Sequence, residues 1–172
     1  MDQVAEAATP WAKPKPTGFM RWLLRLPPLL YRMGLSGRLG RRLLLLATTG
    51  RRTGRRRTVG LNYVLDGTTV YVFSGFGRTD WYANLVADPR VEVQIGRERW
   101  AGIARAVEDA DERRRARSKL GAIAPHQGPP ERLRPVIRRF GFDYDAEIRR
   151  LDDPAFDPPA VAIESAPSGS VA

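Results

Sequence analysis

The chain has 172 residues, 42% of them hydrophobic, with 29 Lys and Arg against 19 Asp and Glu, one histidine and no cysteine. That fits one globular domain able to bury roughly 70% of the surface its unfolded chain exposes. It excludes disulfides, thiolate chemistry and sulfur-ligated zinc, and the lone His126 leaves no partner for a His-rich metal centre or a Cys/His dyad.

The positive charge is unevenly placed. Between Ala7 and Leu65 lie 13 basic residues and no acid, whereas the remainder holds 16 basic and 19 acidic residues. The net positive field therefore belongs to the N-terminal third, where it would draw phosphates, polycarboxylates or anionic lipid. No secretory signal is evident and no run of about 18 apolar residues occurs, so the expected location is cytoplasmic.

Residues 1–18, rich in Ala, Pro, Lys and Thr, read as a flexible arm, residues 19–164 as a single domain, and residues 165–172 as a flexible tail. Phe19 to Leu26 patterns as a short amphipathic helix that either caps the core or, with residues up to 35, makes peripheral membrane contact. Leu43 to Thr48 is short and continuously apolar, as a buried strand would be. Arg57 to Leu65 is β-branched and aromatic, Asp66-Gly67 signals a hairpin, and Thr68 to Ser74 is the returning strand. A short helix spans Trp81 to Ala87, N-capped by Thr79 or Asp80 and stopped by Asp88-Pro89. Arg90 to Ile95 alternates strictly, and Glu98 to Val107 forms its partner strand. From Ala110 the period becomes helical, Pro129-Pro130 begins a second helix to about Phe140, Gly141 to Tyr144 connects, and Ala160 to Glu164 is a last strand. Hairpin-linked strands predict an antiparallel sheet closing on itself, with helices at one side. Connections this short rule against the parallel crossovers of a doubly wound sheet.

Two segments stand out chemically. The first is Thr49-Gly50-Arg51-Arg52-Thr53-Gly54-Arg55-Arg56-Arg57, five arginines in seven positions with two glycines. Glycines let backbone approach a ligand, bare N–H groups in such a turn can form an anion nest, and guanidinium forks match phosphate and carboxylate. It lacks the Lys-Ser/Thr pair and following helix of a P-loop, and an exposed, charge-protected hairpin loop would also explain it. The second is Ser74 to Leu85, where a Gly-rich loop leads into a helix carrying Trp81, Tyr82 and Asn84. Trp81 packing into the core is the plain explanation. Beside the Arg-rich turn, the pair suggests a site for a flat ring at one end and an anionic chain at the other.

In motif order and spacing, Leu43 to about Val107 resembles the deazaflavin-dependent nitroreductase and quinone reductase family of actinobacteria, with T-T-G-R-R-T-G followed by Arg, a Ser/Gly loop, W-Y-x-N-L and D-P-x-V. The resemblance implies an α+β fold, a mainly antiparallel split β-barrel flanked by helices. It implies the cofactor coenzyme F-420, whose tail carries a phosphodiester and several glutamates. Arg51, Arg52 and Arg57 should then grip the tail, with Thr53 in the same turn. The backbone from Thr58 through Val59 to Asn62 should run beneath the ring, Ser74 and Gly75 should approach its edge, and Trp81, Tyr82 and Asn84 should close its side. Departures fall at Gly75, where some members have Lys, and at Asn62, where others have Tyr.

The activity so implied is hydride transfer from reduced deazaflavin to a quinone or nitroaromatic, with Ser74, Tyr63 or Tyr144 as candidate proton donors beside water. FMN on the same barrel is the alternative cofactor, and a non-catalytic deazaflavin or anionic-membrane binding protein the alternative class. No metal is expected, no nucleic-acid module is present, and a homodimer is the assembly that the fold analogy suggests.

Overall fold

The computed structural model describes residues 43–75, 79–127, 131–139, 143–153 and 155–165. The arm, the amphipathic segment of residues 19–35 with its membrane contact, the tail beyond Ser165 and the centre of the Gly-rich loop all lie outside these.

Among the described residues the elements follow in the order β1 (Leu44–Thr49), β2 (Arg56–Leu61), β3 (Tyr63–Asp66), β4 (Thr69–Phe73), α1 (Asp80–Ala87), β5 (Arg90–Ile95), β6 (Glu98–Ala106), α2 (Ala110–Ile123), α3 (Arg134–Arg139), α4 (Tyr144–Arg150) and β7 (Ala160–Ser165). Short 3-10 turns at Ala124–His126 and Glu131–Leu133 link the helices. All seven strands form one sheet in the order β2-β1-β5-β6-β7-β4-β3, every pairing antiparallel. The fold is α+β, a split β-barrel with helices packed around it.

Curling is imposed by connectivity. β2 and β3 are the two edges of the sheet, yet only Asn62 separates them in sequence. In a flat sheet the edges would lie six strand spacings apart, about 29 Å. Two peptide units span at most about 7 Å, so the sheet must roll until its edges meet at Asn62. The segment expected as one strand, Arg57 to Leu65, is therefore two strands with different neighbours. β2 pairs with β1 through Leu46↔Val59 and Thr48↔Arg57, and β3 pairs with β4 through Tyr63↔Val72.

Rolling gives two apolar layers. Leu44, Leu46, Tyr63, Val70, Val72, Val91, Val93, Val161 and Ile163 fill the interior, with Trp81 and Leu85 of α1 packed into the same cluster. Val64, Tyr71, Ala160 and Ala162 face outward beneath Ala116 of α2. β7 lies between β6 and β4 and is buried on both faces from Ala160 to Ile163. Its branched residues point inward, each contributing roughly 1.5–3 kcal/mol on burial, and its alanines let the helix approach closely.

α2 begins at a side-chain N-cap: Asp109 accepts from the Glu112 N–H at 2.6 Å. The Glu112 carboxylate then holds the helix on the barrel, accepting from Arg105 at 2.6 and 3.1 Å and from the Tyr71 hydroxyl at 2.8 Å. α4 was not expected: the connector read at Gly141 to Tyr144 ends where the helix starts, and residues 145–159 were assigned no element. Its first turn carries Asp145 and Glu147, its last turn Arg149 and Arg150, and the Asp143 side chain caps it through the Ala146 N–H.

Two outcomes follow. Bonding to Arg105, aided by Tyr71, holds Glu112 below the usual carboxylate range. Its contribution is complete above the ordinary carboxylate pKa and is lost as pH falls through the depressed one. Glu112→Gln should accordingly flatten the acid limb of stability against pH in chemical denaturation. At Gly102, a Cβ would meet the Glu164 carbonyl oxygen at 2.8 Å and the Ile163 Cγ2 at 2.9 Å. Gly102→Ala should cost about 1–3 kcal/mol of unfolding free energy in a urea titration.

Candidate cofactor site around the basic turn and the β2 edge

Among the described residues β2 pairs only with β1, so alternate backbone N–H and C=O groups of Arg56–Leu61 face away from the sheet. Six residues of strand make a track of about 17 Å. The basic turn lies at one end and Asn62 at the other. Pairing of Tyr63 with Val72 brings the end of β4, and hence Ser74 and Gly75, toward the Asn62 end.

The basic turn is tied to itself and to α1. The Gly50 N–H donates to the Arg55 carbonyl at 2.9 Å, and the Gly50 carbonyl accepts from Thr53 and Gly54 at 3.1 and 2.8 Å. Thr53 Oγ1 accepts from the Arg55 N–H at 3.4 Å, and Gly54 has φ +63°, a conformation glycine favours. The Arg51 N–H donates to Asn84 Oδ1 at 3.2 Å. These backbone donors point inward and are used, so the nest expected from the glycines is not open.

The five arginines divide sharply. Arg51 reaches Asn84 Oδ1 at 3.1 Å, the Asp80 carbonyl at 3.3 Å and the Asp80 carboxylate at 3.2 Å. Arg56 points to the outer face and bonds Glu92 at 2.6 Å. It lines a shallow outer depression of about 250 Å³ with Ala47, Thr49, Arg90 and Glu92, where Arg90 is in turn held by Asp88. That depression is already charge-balanced. Arg52, Arg55 and Arg57 form no ion pair among the described residues. Strand alternation puts Arg57 on the inward face with Val59 and Leu61, while Thr58 faces out opposite Ala47.

Other expected residues are placed as follows. Asn84 is 4% exposed, and its amide is used by Thr48 Oγ1 at 3.2 Å and by Arg51. It faces the turn rather than solvent. Trp81 packs inside the barrel, edge-on to Tyr82 at 6.1 Å. The Ser74 hydroxyl is buried against Thr79 Oγ1 at 2.9 Å, so Thr79 precedes α1 without a side-chain cap. A Cβ at Gly75 would meet nothing within 4 Å, leaving open space at that backbone.

At the Asn62 end, Asn62 Nδ2 donates to the Tyr144 hydroxyl at 3.1 Å, and that hydroxyl donates to the Ala124 carbonyl at 3.0 Å. Arg134 lies over the Tyr144 ring, 5.1 Å from its centre. The Tyr63 carbonyl accepts from Gln127 Nε2 at 2.8 Å. Burial raises the Tyr63 hydroxyl pKa, disfavouring proton release. Thr48, Asp80 and Gln127 belong to this framework; Asp80 was expected only as an N-cap candidate, and Thr48 and Gln127 carried no signal of a role here. Tyr144 was anticipated as a residue, but its helix was not.

A family model described as F420H(2)-dependent quinone reductase matches residues 31–132, more than half of the chain. The chain belongs to that family. It is 38% identical over 99 residues to the F420H(2)-dependent quinone reductase Rv1261c of Mycobacterium tuberculosis, a match spanning 52% of this chain and 66% of that relative. The fold of the chain is similar to that of solved structures. One, described as a domain-swapped dimer, shares 22% identity over 84% of this chain and 98% of its own, with a TM-score of 0.53. Another, the conserved hypothetical protein Rv2991 of Mycobacterium tuberculosis, shares 15% identity over 78% and 79%, with a TM-score of 0.51.

The Tyr144 hydroxyl joins α4 to the joint between the two sheet edges. Tyr144→Phe should lower the unfolding free energy by about 1 kcal/mol, measured by thermal or urea denaturation, because it takes the acceptor from the Asn62 amide, while the Ala124 carbonyl keeps the Gln127 N–H at 3.0 Å.

Proposed function

We propose that the chain is a deazaflavin-dependent oxidoreductase that reduces an electron-poor acceptor, a quinone above all, with reduced coenzyme F-420. The observation that carries this reading is the set of three guanidinium groups, Arg52, Arg55 and Arg57, that form no ion pair among the described residues, at one end of the β2 edge that pairs with no second strand among them, in a chain of a family described by that cofactor. The residues fit the group. An acidic, phosphodiester-bearing tail needs several cations in a row, and a flat ring needs backbone it can approach, which the open space at Gly75 supplies. When bound, the reduced deazaflavin supplies a hydride donor.

The chain's own work is binding, orientation and exclusion of water. Arg52, Arg55 and Arg57 hold the tail, the exposed backbone edge of β2 lies along the cofactor, and Ser74-Gly75 borders the ring. Trp81 and Tyr82 support that edge from within the barrel. Of the candidate proton donors, Ser74 shares a hydrogen bond with Thr79, Tyr144 is bonded to Asn62 and Ala124, and burial raises the Tyr63 pKa, making that hydroxyl a weaker acid. The proton that completes reduction therefore comes from water in this reading.

A binding titration tests it. The wild type should bind coenzyme F-420 far more tightly than FMN, whose single phosphate needs fewer cations. Arg52→Ala/Arg55→Ala/Arg57→Ala together should weaken F-420 binding on the order of a hundredfold. Tight FMN binding without F-420 binding would overturn the assignment.

A further inference from the structure

We infer that Asn84 and Arg51 are positioning residues: together they clamp the basic turn to α1 so that Arg52, Arg55 and Arg57 face the anionic tail, and Arg51 itself is no tail ligand. This rests on the cofactor reading above. A single buried carboxamide holds both sides of the turn. Asn84 Nδ2 donates to Thr48 Oγ1 before Gly50, and Asn84 Oδ1 accepts from the Arg51 N–H and guanidinium after it. Arg51 then forks onto Asp80, meeting its carbonyl and its carboxylate.

Charge alone would not put Arg51 there. The first turn of a helix carries a positive end, which disfavours a cation. The Asp80 carboxylate offsets that cost, and directional bonds to fixed acceptors decide the side chain's position. A lysine offers a point charge and no planar fork, and would not span Asn84 and Asp80 together. The turn has little slack of its own, since a Cβ at Gly50 would meet the Arg55 carbonyl oxygen at 3.0 Å and Thr53 Oγ1 at 3.1 Å. Anchoring one corner through Asn84 thus fixes the direction in which the next arginines leave the backbone.

Ligand and clamp differ in salt response. Losing a guanidinium that touches the tail removes part of a screened attraction, whereas losing one that shapes the turn lowers affinity equally at all ionic strengths. The experiment measures F-420 affinity across a salt series, together with amide hydrogen exchange of residues 50–57 in the ligand-free protein. Arg51→Ala and Asn84→Ala should each speed exchange in the turn and weaken binding about tenfold. Their double variant should be no weaker than the worse single one, and the salt dependence should stay as steep as in the wild type. Arg51→Lys should not rescue. Arg57→Gln should do the reverse, leaving exchange unchanged and flattening the salt dependence.

Should Asn84→Ala fail to fold, Arg51→Ala and Asp80→Asn decide, the latter with a smaller effect of the same sign. If Arg51→Ala flattens the salt dependence as Arg57→Gln does and leaves turn exchange unchanged, Arg51 is a ligand and the clamp is overturned. A wild type that binds no F-420 overturns the cofactor reading alone. The exchange comparison then still decides the clamp, and unchanged exchange in Arg51→Ala overturns it.

Discussion

The passage of the chain from one edge of the sheet to the other through the single residue Asn62 conditions the rest of the molecule. It forces the sheet to roll, and rolling creates an inside. Valines and leucines of five strands meet there, and α1 can pack Trp81 and Leu85 against them. Among the described residues the same passage leaves β2 paired on one side only, so a run of its backbone polar groups faces away from the sheet between the basic turn and the joint. The proposed site for an elongated ligand is in this sense a by-product of how the barrel closes. The bond from Asn62 to Tyr144 reinforces the closure from outside, linking the joint to α4 and to the turn at Ala124.

Most strands were legible because burial on one or two faces leaves a direct pattern. Arg90 to Ile95 alternates as written, and Val70 and Val72 separate from Tyr71 and Phe73 into the two apolar layers. The break at Asn62 was not legible. Arg57, Val59, Leu61 and Tyr63 all face inward, and Thr58, Gly60 and Val64 outward, so the period of two runs unbroken through the bend. Periodicity reports which face a residue takes and is blind to a change of neighbouring strand. α4 was missed for a different reason. It has caps and charges at the right ends, but seven residues are too few to show a helical apolar stripe.

The site shows the same limit. Residue types and their grouping were readable: an Arg-rich turn, a Ser-Gly loop and an aromatic helix do come together. Partners were not. Spacing placed Asn84 near the edge of Trp81, which says nothing of the turn that arrives opposite it from a strand 36 residues away in sequence. Ser74 likewise looks like a free hydroxyl beside a flexible loop until Thr79, five residues on, is found folded back onto it. Such pairings depend on tertiary geometry that a local window does not contain.

The arginines draw these points together. Read as a string, Arg51, Arg52, Arg55, Arg56 and Arg57 are five equal positive charges. Alternation along β2 sends Arg56 outward to Glu92, and the fork of Arg51 is taken by Asn84 and Asp80. Each of these two shapes or steadies the surface from which the other three project. Local charge density therefore overstates how many cations a ligand meets, because a turn crowded with like charges must itself be held together. Mutual repulsion among exposed guanidinium groups would otherwise open the loop, and here two of the five are neutralised by the scaffold that presents the rest.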